Sequence, residues 1–330
     1  MAKVTIIDVA RLAGVSTATV SRAMHTPHVV RPATLERVRA VMRDCGYIYN
    51  ATAGDFSRRR STVLGVLILS TTTKVATSLS AAQEVATQRQ FPLIVSTSGF
   101  DPRLERKHLQ QFLQRGVAGL LVIGHMKENQ PRIQELQQLG IPCVYLWEVL
   151  PETQDSYVGF DNVKGPHAMM EYLIGQGYRR IGFICGFNAG VDRLAKRYDG
   201  YMAALRANGI PLDESLVRSA TSTFANGKAA MRELMALPVP PRCVCCASDV
   251  LAAGAMAAVH EAGLSVPLDY CIAGFDNTQM ASYLNPTLST VDVPGVEMGR
   301  LGMEALLTLV ENEDHPPIQK ELPTSLIIRA

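Results

Sequence analysis

The chain has 330 residues, 47% hydrophobic and 19% charged, and a formal net charge of +2. That length exceeds what one hydrophobic core normally serves, so two or more domains are expected, and the composition excludes a disordered or fibrous chain. No apolar run approaches the roughly 20 residues of a membrane span. The opening "MAKVTIIDVARLAGV" lacks a long apolar stretch and a small-residue cleavage site, which points to a cytoplasmic chain with no membrane partner. Seven cysteines, odd in number and scattered, fit reduced thiols better than a disulfide framework. Charge is uneven. Residues 1–60 hold ten Lys or Arg against four acids, a net +6 on a body of −4, the footprint of a nucleic-acid-binding head on a different kind of domain.

The first predicted element is "TIIDVARLAG", which places Ile6, Val9, Ala10 and Ala13 on one helical face, with Gly14 suited to the positive φ that ends a helix. Ser16 is placed to cap a second helix that buries Val20 and exposes Thr17, Ala18, Ser21 and Arg22. About four residues join the two, the spacing of a helix-turn-helix. A third helix follows in "RPATLERVRAVMRDCGY", with Pro32 in its first turn, Leu35, Val38, Val41 and Met42 inward and Gly46 at its stop.

The exposed face of the second helix suits a major groove, where arginine meets guanine acceptors and small methyl-bearing side chains meet thymine methyls. Arg22, Thr17 and Ala18 are the candidate base contacts, and Ser16, Thr19 and Ser21 the candidate phosphate contacts, with Thr5 also at the interface. "IIDVARLAGVSTATVSRAMHTPHVVRPATLERVRAVMRDCGYIYN" resembles the head of the LacI/GalR family of helix-turn-helix transcriptional regulators, whose pattern is D-V-A-x-x-A-G-V-S-x-x-T-V-S-R, a basic third helix and G-Y-x-x-N. The resemblance extends through the chain.

It implies that the next segment, "ATAGDFSRRRSTVLGVLIL", begins with a hinge helix ordered on DNA, with a side chain from each partner wedged into the minor groove. Phe56 stands where the family has leucine, and Tyr49 where proline is common. Phenylalanine is also an intercalating wedge. Asn50, Ala53 and Phe56 are the candidate DNA contacts here, while a plain linker with Arg58, Arg59 and Arg60 as solvated charge is the alternative.

From Val63 the pattern alternates strand and helix. Apolar runs recur as "VLGVLIL", "FPLIVSTS", "AGLLVIG", "PCVYLW", "YVGF", "RIGFICG", "CVCCAS", "CIAGF" and "LSTVDV", separated by helical stretches such as Ala81 to Arg89, Leu104 to Gln114 and Val163 to Ile174. Such alternation gives parallel sheets covered by helices, and so many units divide into two doubly wound subdomains. The expected fold is therefore an all-α helix-turn-helix head plus an α/β core, which the resemblance identifies as periplasmic-binding-protein-like. The expected partition is a DNA-binding domain over 1–46, a hinge or linker over 47–62, one effector subdomain of 63–161 with 292–321, and a second of 162–291 with 322–330. The resemblance implies crossings near Asp161, Asp292 and Leu322, with "TSLII" returning to the second lobe.

Two such lobes form a cleft at their strand ends. By resemblance, Arg197 of "RLAKRYDGY" grips a ligand hydroxyl or carboxylate and Asp276 of "IAGFDN" is the ligand-binding aspartate. Arg193, Ser248, Trp147 and Phe160 are further effector-binding candidates. Ser248 stands where many sugar-binding members have asparagine, with Asp249 as the expected cap of the following helix. Asp276 could instead only cap, and Arg197 could pair with Asp199. Trp147 replaces an acidic residue of several sugar regulators, so a sugar acid is in contention beside a neutral sugar.

No cofactor or metal is expected. C-x-C-C at Cys243, Cys245 and Cys246 lacks a paired second half and reads as buried strand, and no H-E-x-x-H, Walker lysine or G-x-S-x-G is present. The expected function is a nucleoid-associated regulator, a repressor, in which a small metabolite controls binding of a homodimer to a palindromic operator on double-stranded DNA. Ending at Ala330 after "TSLII", the chain leaves no heptad tail for a tetramer. The other class in contention is a sugar-binding transport protein or sugar-handling enzyme with an accessory DNA-binding head, for which neither an export signal nor an acid-base pair is found.

Overall fold

The computed structural model describes residues 4–47, 62–186 and 190–329. The chain forms two compact units, residues 1–61 and residues 62–330.

In the first unit three helices, α1 (Ile6–Ala13), α2 (Thr17–His25) and α3 (Pro32–Asp44), enclose a core of Val9, Ala10, Ala13, Val20, Ala23 and Val38. Alanines at half of these positions keep the helices close. Local chemistry sets the ends. The Thr5 amide donates to the Asp8 carboxylate at 3.0 Å while the Asp8 amide donates back to the Thr5 hydroxyl, a reciprocal cap on α1. Gly14 ends α1 at φ 64°, a left-handed conformation that a side chain would strain. Ser16 caps α2 by accepting from the Thr19 amide at 3.2 Å, and Pro32 opens α3.

The second unit is built on two six-stranded sheets. The first contains β1 (Leu64–Ile68), β2 (Leu93–Thr97), β3 (Gly119–Ile123), β4 (Cys143–Leu146), β5 (Ser156–Gly159) and β11 (Gln319–Glu321), in the order β11-β5-β4-β3-β1-β2, all parallel. The second contains β6 (Ile181–Cys185), β7 (Val217–Ser219), β8 (Cys243–Cys246), β9 (Cys271–Asp276), β10 (Ser289–Asp292) and β12 (Ser325–Ile327), in the order β12-β10-β9-β8-β6-β7, with only β12 antiparallel.

The chain passes from the first sheet to the second between β5 and β6, returns between β10 and β11, and passes over again between β11 and β12. Among the described residues eight α-helices connect the strands: α4 (Thr73–Gln88), α5 (Pro102–Gln114), α6 (Gln130–Gln138), α7 (Lys164–Gly175), α8 (Asp192–Ala207), α9 (Phe224–Met235), α10 (Asp249–Glu261) and α11 (Gly295–Glu311). The central strands are buried along their full length, which is why they read as continuous apolar runs. Cys243, Cys245 and Cys246 are buried thiols of β8.

The sequence pattern missed β7 and β11. Both are edge strands with half-buried or exposed side chains, "VRS" and "QKE", so neither carries an apolar signal.

Each lobe contains a helix pair held at backbone contact by glycine. A Cβ on Gly299 of α11 would lie 2.0 Å from the Ser78 carbonyl oxygen of α4, and one on Gly254 of α10 would lie 2.2 Å from that of Phe224 in α9. No helix among the described residues is long and apolar enough to cross a membrane.

Candidate functional site

In the head, Thr17, Ala18 and Arg22 are exposed on α2, and Ser21 is half-buried. The Ser16 and Thr19 hydroxyls lie 2.9 Å apart at the start of the helix, so each has a local partner. Thr5 is engaged in the same way, its hydroxyl donating to Asp8 at 2.7 Å. Asn50, Ala53 and Phe56 lie outside the described residues.

In the second unit the strand ends converge on a cavity of about 340 Å³, lined on one side by Ser70, Thr72, Val75, Phe100 and Trp147 and on the other by Arg193, Arg197, Ser248 and Asp276, with Ser219, Thr221 and Ser222 beside them. Its volume falls at the small end of the range for pockets that hold small molecules. Arg193 and Arg197 are one turn apart on α8, on the same face.

Arg197 is held from three directions. Its Nε donates to Asn162 Oδ1 at 3.1 Å, Nη1 donates to the Ala247 carbonyl at 2.6 Å, and its guanidinium carbon lies 3.9 Å from the Phe275 ring centre. Nη2 is left facing Asp276 Oδ1 at 3.8 Å, too long for a hydrogen bond. The partners at hand are thus Asn162 and Ala247 rather than Asp199. Burial pulls the Arg197 pKa down, and the neighbouring Asp276 opposes this.

Asp276 ends β9 with φ 108°, outside the usual range of an L residue. Burial pushes its carboxyl up to about 7, against the pull of Arg197. At neutral pH it therefore stands ready either to donate or to accept. Arg193, 8% exposed, is pushed down to about 10 by burial and then by Arg197, while Glu148 and Asp276 pull it back. Its guanidinium carbon sits 5.8 Å from the Trp147 ring centre.

Trp147 follows β4 with φ 73°; its amide faces Met298 Sδ at 3.1 Å, and its carbonyl accepts from Asn162 Nδ2 at 2.8 Å. Asn162, 1% exposed, thus ties the tryptophan of one lobe to the arginine of the other. Among the described residues the buried side-chain polar atoms without a hydrogen-bond partner are Trp147 Nε1, Arg193 Nη1, Asp276 Oδ1, Glu148 Oε1 and His125 Nδ1. The first three belong to residues that line the cavity. Buried polar atoms are rarely left unsatisfied, so three of them around one cavity set it apart from the rest of the core.

Two expected roles change. Ser248, not Asp249, caps α10, its Oγ accepting from the Leu251 amide at 3.3 Å and lying 2.6 Å from Ser222 Oγ. Asp249 enters the first turn and is fully buried, accepting from the Thr278 amide and hydroxyl and from the Thr290 hydroxyl at 2.6–2.8 Å. It thereby pins the β9 end to β10. Phe160 does not line the cavity. It is fully buried behind it, its ring 5.8 Å from that of Trp147 and 6.1 Å from that of Phe275, so it supports both rings.

Sequence reasoning missed Asn162, Phe275 and the hydroxyls of Ser70, Thr72, Ser219, Thr221 and Ser222. The signal of Asn162 and of the hydroxyl residues was position, since small polar residues at or just beyond the carboxyl ends of parallel strands face the crevice where ligands bind; Phe275, inside β9, carried no such signal.

Comparison with known proteins agrees with both units. Residues 5–50 match the family model "Bacterial regulatory proteins, lacI family", and residues 170–330 match the model of a periplasmic binding protein-like domain. The chain is 32% identical to the HTH-type transcriptional repressor CytR of Escherichia coli (strain K12) over 326 residues, 98% of this chain and 95% of that protein. Among solved structures, the Lac repressor dimer bound to operator and the anti-inducer ONPF superposes with TM-score 0.87 at 26% identity, covering 99% of this chain and 98% of that one. The transcriptional regulator CelR–cellobiose complex gives 0.72 at 31% identity and 99% of both chains. An exposed helix-turn-helix face, a cavity at the carboxyl ends of two parallel sheets and near-complete coverage of these relatives lead to one conclusion: the chain belongs to the lacI family of bacterial regulatory proteins, DNA-binding transcriptional regulators with a periplasmic-binding-protein-like core.

Proposed function

We propose that the protein is a cytoplasmic, nucleoid-associated homodimeric repressor that binds a palindromic operator and releases it when a hydroxyl-rich metabolite fills the cavity. The observation that carries the effector reading is the set of buried, unpartnered atoms on Trp147, Arg193 and Asp276 around an arginine held rigid by Asn162 and Ala247. The CelR complex with cellobiose supports a sugar as the ligand class. Arg197 Nη2, Arg193 and Asp276 hold ligand oxygens, and Trp147 offers an apolar face to a sugar ring. Relatives of this chain are transcriptional regulators, and in this reading the bound ligand acts as a signal.

In the head, Arg22, Thr17 and Ala18 read bases, while Thr5, Ser16, Thr19 and Ser21 position the backbone, with Asn50, Ala53 and Phe56 adding contacts from the hinge. The working partition remains 1–46, 47–62, 63–161 with 292–321, and 162–291 with 322–330. Ligand binding favours one arrangement of the two core subdomains, and operator affinity follows from the difference in ligand affinity between arrangements.

Selection of bound DNA from a random pool, with and without sugars and sugar acids, tests this reading. A two-fold symmetric site whose occupancy falls with one ligand is the expected result; an asymmetric site or indifference to every ligand overturns it. Arg22→Ala should weaken specific binding more than non-specific binding. A second reading, a sugar acid, is favoured by Arg193 Nη1, a buried cationic donor with no partner of its own. Calorimetry with glucose and glucuronate separates the two.

A further inference from the structure

Cys243 is the first residue of β8 and Cys271 the first of β9, and the two are register partners on these adjacent parallel strands. Neighbouring strands lie about 4.8 Å apart, and a disulfide spans Cα separations of about 4.4–6.8 Å. Partnered side chains also point to the same face of the sheet, so the two sulfurs meet without any movement of the backbone. The other thiols of β8 lack this arrangement among the described strand pairs: Cys245 meets Ala273 and Phe183, and Cys246 meets Ile184.

The two partners differ in access. Cys243 is fully buried, whereas Cys271 is half-buried and lines a depression of about 300 Å³ together with Tyr172, Leu173, Tyr178, Val266 and Pro267. Cys271 and Asp276 stand at opposite ends of β9, so this depression lies at the amino ends of the strands and is separate from the cavity at their carboxyl ends.

They differ in chemistry as well. The Cys243 thiol and the Tyr178 hydroxyl both donate to the Cys271 sulfur, and these bonds, that from Cys243 foremost, hold the Cys271 thiol below its ordinary pKa against the effect of burial. Burial pushes Cys243 well above its own. A thiolate is the nucleophilic form of cysteine. Cys271 is thus the accessible nucleophile, and Cys243 is a buried thiol that keeps its proton and touches it.

We propose that Cys271 and Cys243 form a redox-active pair in which Cys271 is oxidised by a hydroperoxide and Cys243 resolves it to a disulfide between β8 and β9. In the first step the Cys271 thiolate attacks a peroxide oxygen, the O–O bond breaks, and the departing hydroxide or alkoxide takes the proton that Cys271 gave up. Cys271 is then a sulfenic acid, oxidised by two electrons, and the peroxide is reduced. In the second step the Cys243 sulfur attacks the sulfenic sulfur, the S–S bond forms as the S–O bond breaks, and the Cys243 proton leaves with the hydroxyl as water. The pair is independent of the effector reading of the cavity.

Oxidation of the reduced full-length protein with hydrogen peroxide, followed by denaturation, alkylation with iodoacetamide and peptide mass mapping, tests it. The expected product is a Cys243–Cys271 linked peptide within one chain, reversed by dithiothreitol, formed while the protein keeps a single cooperative melting transition. Cys45, the half-buried thiol of the head, is the internal reference and should be oxidised more slowly. Cys243→Ala should stop the reaction at the sulfenic acid, which dimedone traps on Cys271, whereas Cys245→Ala should leave the linkage intact. Tyr178→Phe should slow the reaction of Cys271 about three-fold at neutral pH, through a smaller thiolate fraction. The wild-type linked peptide decides the matter whether or not any variant folds. Its absence after peroxide treatment, its appearance only once the protein has unfolded, a link from Cys271 to another chain, or oxidation of Cys45 as fast as that of Cys271 overturns the proposal.

Discussion

The two lobes of the core share one strand order and divide the work of the cavity unequally. The second lobe contributes charge, with Arg193 and Arg197 on α8 and Asp276 at the end of β9. The first contributes shape, with Trp147, Val75 and Phe100 beside the hydroxyls of Ser70 and Thr72. A fold fixes where a site lies, at the carboxyl ends of its strands, and leaves its chemistry to whichever residues follow those ends. The division predicts that substitutions in the charged wall cost affinity outright, whereas those in the shaped wall alter preference.

Arg197→Ala should have the largest effect. Truncating one partner of a buried charged pair costs about 2–5 kcal/mol in binding, and this substitution would also leave the Asn162 and Ala247 oxygens without their donor. Calorimetry should find no measurable effector binding, while operator binding without effector persists. Retained affinity would show that the second lobe is not the gripping one.

Packing should treat the lobes alike. Gly299→Ala and Gly254→Ala each force a methyl into a facing carbonyl, and overpacking of this kind costs about 1–3 kcal/mol. Urea unfolding should show comparable losses for both; a loss confined to one would break the equivalence of the lobes.

Asp276 gives the charged wall a pH dependence. With its carboxyl raised to about 7, the folded chain keeps a proton that the unfolded chain releases at a pH about three units lower. Stability therefore falls as pH rises from about 4 to about 7, and Asp276→Asn should flatten this slope and raise the melting temperature at neutral pH. Binding carries the same signature. A neutral sugar that donates a hydroxyl to Asp276 should bind more tightly as the carboxylate forms between about pH 6 and about pH 8, whereas a sugar acid should bind more weakly over that range.

Trp147→Phe should have the smallest effect, about 0.5–1.5 kcal/mol for one lost hydrogen bond from Nε1. Competition between a neutral sugar and a sugar acid would show whether preference shifts more than affinity does.

Much of this was legible in the sequence because its signals are local. Gly14, Ser16 and Pro32 mark their helix ends within a few residues, and the buried strands announce themselves as apolar runs. Where the pattern is weak the reading shortened. Helix α4 begins at Thr73, eight residues before the expected start, because "TKVATSLS" is hydroxyl-rich and, among its described side chains, only Val75 and Ser78 are buried. The site was legible through the family resemblance, which singled out Arg197 and Asp276, and both line the cavity. Its support was not, since Asn162 and Ala247 reach Arg197 across 35 and 50 residues of chain. No local pattern carries such a contact. Phe160, expected to face the ligand or to shape the cleft, lies behind the rings of Trp147 and Phe275, the second of those roles.

Trp147 is the only tryptophan in the chain, and its indole lies in the cavity wall with Arg193 over its ring and its Nε1 unpartnered. Its ultraviolet emission is thus a built-in optical gauge: the signal originates at the cavity wall, with no second indole to dilute it. Titrations followed by that light need neither label nor engineered reporter, and a ligand that shifts it announces occupancy before any change in operator affinity is measured.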